Sequence, residues 1–229
     1  MLYEFMDRYV WHDFTNDILP YTNKESKSPI VVFDIGCFIG NFSRKIKKKF
    51  PDGSFFLFDP NPNLKIKDFN HYKLALSKSD KKRIYYLNNF FPGGGSSLSA
   101  NGKNDFWWNL TRKIITLKFW KNYSEHEVDS ITLDKFCEEN KIKHIDILKI
   151  DVDGSELEVL HGGDEILNQV KIALVEVNDT KSKFEEKFTQ VKNLLEEKYN
   201  FKLIKQKKMW SVSIFSNLKV VDTLFVKKD

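Results

Sequence analysis

The sequence predicts one α/β domain, a largely parallel sheet with helices packed on both faces. Three observations carry this. Apolar runs of strand length at residues 30–33, 54–58, 145–150 and 171–178 suit strands covered on both sides. The first run ends in a glycine turn that opens a helix, and strand-like and helix-like segments then alternate along the chain. Finally, residues 201–206 and 220–228 read as a closing antiparallel pair. A chain of 229 residues holds one such domain with small additions.

Composition narrows the function classes. Hydrophobic residues make up 41% and aromatic residues 14%, enough for a core, and no apolar run approaches the roughly eighteen residues of a membrane span. The first residues mix acids with aromatics and lack a basic start with a uniform apolar core, so a cytoplasmic location is expected. Two cysteines, Cys37 and Cys137, cannot build a disulfide framework or a zinc site alone, and Cys37 reads as a small packing residue. The net charge of +5 is a mild bias. Lys45, Lys47, Lys48 and Lys49 fall where the first helix should end and favour its dipole, so no nucleic-acid partner is expected.

Taken in order, residues 1–28 contain Tyr3, Phe5, Tyr9, Trp11 and Phe14, a pattern fit for a short amphipathic helix. It would pack on the domain edge or serve as a lid over a pocket. A polar connector, residues 24–29, leads into the stretch VVFDIGCFIGNFS at 31–43. Here Gly36 and Gly40 allow a tight turn beyond Asp34, and the following helix offers unpaired N–H groups to a polar or anionic ligand. The spacing is D-x-G-x-x-x-G, whereas a dinucleotide fingerprint would need glycine at Phe38, so NAD is the weaker reading. The turn suits the amino-acid end of S-adenosylmethionine. Asp59, ending a second apolar strand, stands where a ribose-binding acid is needed.

A helix over 42–50 and a turn at 51–53 join these two strands. A third strand is expected at 72–76, placing Ala75, Leu76 and Ser77 near an adenine, and residues 83–88 alternate as a further strand. The glycine- and serine-rich residues 91–102 read as a loop, with Ser96 and Ser97 as candidate acceptor contacts. A strand at 114–120 and a helix at 132–140, N-capped by Thr132, follow.

In the strand at 145–150 and just beyond it, Lys149 and Asp151 point the same way, about 7 Å apart, at the carboxyl end where open α/β sheets bind ligands. The run D-V-D-G-S-E reads equally as a capping box, Asp153 accepting from Glu156 N–H and Glu156 reaching back, and as part of the site. It lacks the calcium-loop pattern, so no metal is expected. Glu176 and Asn178 leave the next strand toward the same crevice, and Phe184, Phe188, Val191, Leu194 and Leu195 mark an amphipathic helix over 181–198.

With these pieces the sequence resembles the FkbM family of S-adenosylmethionine-dependent methyltransferases. The matching stretches are FDIGCFIGNFS (33–43), FDPNP (58–62), SSL (96–98), VDSITLDKF (128–136), ILKIDVDGSELEVLHGG (147–163) and VEVN (175–178). The resemblance implies a Rossmann-like class I methyltransferase with a seven-stranded, mostly parallel sheet and a C-terminal antiparallel strand. It implies O-methylation of a hydroxyl on a sugar, glycan or natural product. Carried over by motif, Asp34, Gly36, Gly40 and Asn41 would hold the methionine part of the cofactor and Asp59 the ribose, while Lys149, Asp151 and Glu156 would line the reaction centre. Asp151 or Glu156 would then be the base, with Lys149 orienting the acceptor. The chain departs from the family pattern at Cys37-Phe38, where Ala-Asn is common, and at Asp59, where Glu is common. The expected division is an extension at 1–28 and a methyltransferase domain at 29–229, with a homo-oligomer left open. N-methylation, or a non-catalytic nucleoside-binding module on the same fold, are the alternatives.

Overall fold

A computed structural model describes residues 13–22, 29–89, 96–99, 123–208 and 217–228. The expected strand at 114–120, most of the loop at 91–102 and the start of the N-terminal extension lie outside them.

The main sheet is built from β1 (Val31–Ile35), β2 (Ser54–Phe58), β3 (Asn70–Tyr72), β8 (Ile145–Ile150), β9 (Val170–Thr180), β10 (Phe201–Lys208) and β11 (Leu218–Lys227). Its order is β10-β11-β9-β8-β1-β2-β3. The five strands from β9 to β3 are parallel; β11 runs antiparallel between β9 and β10. This is the seven-stranded, mostly parallel sheet with its C-terminal antiparallel strand that the family resemblance implies.

Alternation along the strands feeds two cores. Phe33, Leu148 and Ala173 face one side with Phe136, Val159 and Phe184 of the helices α3 (Leu133–Glu139), α4 (Glu156–His161) and α5 (Phe184–Asn193). Val32, Ile147 and Ile172 face the other side with Ile46 of α2 (Asn41–Lys47). Phe14 and Ile18, from the single helical turn α1 (Thr15–Ile18), join this second core, and Asp17 pairs with Lys205 and Lys207 of β10. Thus the described part of the extension lies on the sheet beside its lysine-rich edge strand.

Several expected boundaries move. The third strand divides: Asn70–Tyr72 joins β2, while β4 (Ala75–Leu76) leaves the main sheet to pair with β7 (Ser130–Ile131). The alternating segment β5 (Arg83–Asn88) is one arm of an antiparallel ribbon whose other arm is β6 (Tyr123–Val128). Thr132 caps α3 as expected, its hydroxyl accepting from Lys135 N at 3.2 Å. The capping box at Glu156 does not form. Asp153 and Gly154 take left-handed backbone at φ 50° and 111°, which turns Asp153 toward Asn178, whose Nδ2 donates to it at 3.0 Å. Glu156 accepts from Gly154 N at 2.6 Å instead. Among the described residues, no helix is long and apolar enough to cross a membrane.

Candidate cofactor and acceptor site

The turn after β1 is held from below. Gly36 and Cys37 donate their N–H groups to Phe58 O at 2.8 and 3.1 Å, and Gly40 N donates to Cys37 O at 2.7 Å. Gly36 and Gly40 adopt φ 73° and 80°. At Gly36 a Cβ would lie 1.7 Å from the Asp151 carbonyl oxygen, so the turn and the chain leaving β8 approach as only glycine permits. Phe38 is also left-handed, at φ 48°, and its N–H donates to Asp59 Oδ2 at 3.0 Å.

Lys149 connects the two chain segments. It lies opposite Asp34 in the β1–β8 register, and its ammonium sits 3.3 Å from Asp34 Oδ1, 3.0 Å from Asp151 Oδ2 and 3.2 Å from Gly36 O. Burial alone would lower its pKa, but Asp151 and Asp34 outweigh that and raise it, so Lys149 stays charged. Asp34 is fully enclosed, with Ser43 donating to its Oδ2 at 2.7 Å and Oδ1 making no hydrogen bond. It shapes the turn through Lys149. Asp151 is the open member of the trio, its side chain 35% exposed.

Glu156 is placed behind this trio. It is fully buried, and Lys187 Nζ meets it at 2.5 Å while donating to Gly154 O and Asn178 O at 2.7 and 2.8 Å. Burial raises its pKa, against the opposing pull of Lys187. Glu156 therefore does not line the reaction centre as the resemblance implied: its carboxylate braces the Asp153–Gly154 loop and reaches no open surface. Sequence reading missed Lys187. Its signal was its place on the apolar face of α5, between Phe184 and Val191.

Asp59 is 4% exposed and accepts from Phe38 N and Asn61 N, both at 3.0 Å. Burial raises its pKa to about 6 despite those two bonds. Ala75 and Leu76 are buried, and the Ser77 hydroxyl donates to Glu158, which Arg83 grips with both nitrogens at 2.6 and 3.0 Å. Ser96 accepts from Asn88 N, and Ser97 donates to Val152 O and Asp153 O at 3.0 and 2.7 Å. Ser96 thus ties its segment to the end of β5, and Ser97 ties it to the loop after β8.

The residues fit S-adenosylmethionine at one point above all. Gly36, Phe38, Ile39 and Asn41 are half-buried in the turn while Cys37 and Gly40 are enclosed, and the partly exposed Asp151 stands beside them. A doubly wound sheet with a left-handed glycine turn after its first strand and an acid ending its second is the frame of a nucleoside-bearing cofactor site. Residues 34–203 match the methyltransferase FkbM domain, and the chain belongs to that family. The family's methyl donor, and this chain's cofactor, is S-adenosylmethionine.

Among relatives, Methyltransferase 1 of Beauveria bassiana is 26% identical over 85% of this chain and 80% of its own length. The 2-O-methyltransferase NoeI of Sinorhizobium fredii is 25% identical over 65% of this chain, which spans 63% of NoeI, less than two thirds. Methyltransferase sdnD of Sordaria araneosa is 26% identical over 89% of this chain and 85% of its own. A methyltransferase FkbM structure from Methylobacillus flagellatus KT aligns at TM-score 0.47 and 9% identity, over 94% of this chain. The chain spans about half of it, 49%. That likeness is too loose to bear on the site.

Proposed function

We propose that the protein transfers the methyl group of S-adenosylmethionine to a hydroxyl of a sugar, glycan or natural-product acceptor. The observation that carries this is the meeting, at the carboxyl ends of β1, β8 and β9, of the glycine turn with a carboxylate-lined rim. The β1–β8–β9 register continues from Ile35, Ile150 and Val175 to Gly36, Asp151 and Glu176, so carboxylates stand in line with the turn, one and two strands away. NoeI, by name a 2-O-methyltransferase, agrees with an oxygen acceptor.

In this reading Gly36, Gly40 and Asn41 hold the methionine end, with Asp34 fixing the turn through Lys149. Asp59 receives the ribose hydroxyls, for which two of its lone-pair sites are left beyond the backbone bonds. Ala75, Leu76 and Ser77 wall the adenine. The bound cofactor supplies an electrophilic methyl carbon, which leaves the protein the tasks of aligning the acceptor and taking its proton. Asp151 and Lys149 orient the hydroxyl, Asn178 and Glu176 complete the rim, and Ser96 and Ser97 hold the bordering segment in place.

The test has two stages. Calorimetry with S-adenosylhomocysteine should show binding. Tritiated S-adenosylmethionine offered with methyl glycosides of common hexoses, and in parallel with primary amines, should label the glycosides. Labelling of amines alone would replace this reading with N-methylation, and binding without labelling of any hydroxyl would refute the acceptor class.

A further inference from the structure

Among the carboxylates of this region, Asp151, Glu156 and Glu176 differ in their surroundings. Asp151 is already engaged by the Lys149 ammonium at 3.0 Å. Glu156 is sealed in and tied to Lys187. Glu176 is the third. Among the described residues, its carboxylate makes no hydrogen bond and no ion pair, yet it is only partly buried.

Its place follows from register. Glu176 faces Asp222 across β9 and β11, and extension of the β1–β8–β9 register aligns it with Asp151 and Gly36. These four residues form one row across β11, β9, β8 and β1. By strand alternation they lie on the face shared with α2. Two strand spacings separate Glu176 from the turn, roughly 10 Å, a gap that a methyl donor and its acceptor would bridge.

On the methyltransferase reading above, we propose that Glu176 is the catalytic base. As the acceptor oxygen bonds to the methyl carbon, the methyl–sulfur bond breaks with its electron pair left on sulfur, and the hydroxyl proton passes to the Glu176 carboxylate and then to water. The environment supports this. Burial first, then Asp151, Asp222, Asp153 and Glu156, all acidic, hold Glu176 well above the usual carboxylate range. The nearby cations Lys149 and Lys187 are committed to Asp34 and Asp151, and to Glu156. A carboxylate without a partner, made more basic by burial among acids, is suited to proton removal.

The experiment compares wild type, Glu176→Gln and Asp222→Asn. With the glycoside labelled most strongly by wild type, Glu176→Gln should lose 10²–10⁴-fold in kcat. Its affinity for S-adenosylhomocysteine should stay within about twofold, since the base stands apart from the turn. The wild-type kcat/KM should rise with pH through one ionisation, and Asp222→Asn should move that rise to lower pH. An acceptor-free measurement accompanies it. Side-chain carbon NMR of glutamate-labelled protein should show one resonance, absent in Glu176→Gln, titrating above the ordinary glutamate range and shifted down in Asp222→Asn. If Glu176→Gln does not fold, the Asp222→Asn shifts decide alone. A glutamine variant retaining more than about one tenth of kcat, or profiles unmoved in Asp222→Asn, overturns the assignment. Failure of wild type to bind S-adenosylhomocysteine would instead overturn the methyltransferase reading beneath it.

Discussion

Removing the ammonium of Lys187 should unfold the protein far more readily than removing any exposed lysine. In Lys187→Met the side-chain volume is nearly kept, but the Glu156 carboxylate, fully buried, loses the charge 2.5 Å away, and the carbonyls of Gly154 and Asn178 lose their donor. Stranding one partner of a buried ion pair costs about 3–5 kcal/mol, and the two carbonyls add to it. Replacing both partners, Lys187→Met with Glu156→Gln, should recover much of this, because the uncompensated charge is then gone. The pH dependence has a definite sign. Burial already raises Glu156 in the wild type, so its contribution is full below the unfolded value and fades as pH rises through the folded one. Without Lys187 the folded value climbs further, and the loss in Lys187→Met should be smaller at pH 5 than at pH 8. Urea unfolding of the two single variants and the double at both pH values measures all of this. A loss under about 1 kcal/mol in Lys187→Met, or a double variant as unstable as the sum of the singles, would refute the buried-pair account.

Gly36→Ala should cost more than about 2 kcal/mol, from a left-handed backbone and a Cβ driven into the Asp151 carbonyl, and should abolish S-adenosylhomocysteine binding; thermal unfolding and calorimetry check both. Asp59 has a folded pKa raised to about 6, so its contribution is full below about pH 4 and lost as pH rises past 6. Asp59→Asn should therefore gain on the wild type by up to about 3 kcal/mol between pH 4 and 7, measured by urea unfolding at each pH. Arg83→Lys should lose about 1 kcal/mol or less, because the Arg83–Glu158 pair is partly exposed, but lysine cannot restore its two-pronged grip.

Much of the fold was legible because strand and helix periodicity report burial directly. The runs at 30–33 and 145–150 became β1 and β8, and the glycine turn fell where the spacing put it. What escaped the sequence was non-local. Residues 72–76 look continuous, yet Tyr72 pairs with Phe58 while Ala75–Leu76 pair with Ser130–Ile131, far along the chain. Gly162 ends α4 with an ordinary φ, and what requires glycine there is a residue far along the chain, the Ser77 carbonyl, only 2.2 Å from where a Cβ would be. The D-V-D-G-S-E run carries the letters of a capping box, and the left-handed turn at Asp153 redirects them. Lys187 was hidden by its own type, since a lysine on an amphipathic helix is ordinarily solvated and this one is folded inward to meet Glu156. That Lys149 and Asp151 share one side was legible from alternation alone, whereas the lack of a partner for the Glu176 carboxylate among the described residues appears only in three dimensions.

The most direct test is calorimetric titration of the wild-type protein with S-adenosylhomocysteine, with NAD as the control. Micromolar binding of S-adenosylhomocysteine and none of NAD is expected. Absence of heat with S-adenosylhomocysteine, or equal binding of NAD, would contradict the assignment of the Gly36–Gly40 turn to a methyl donor.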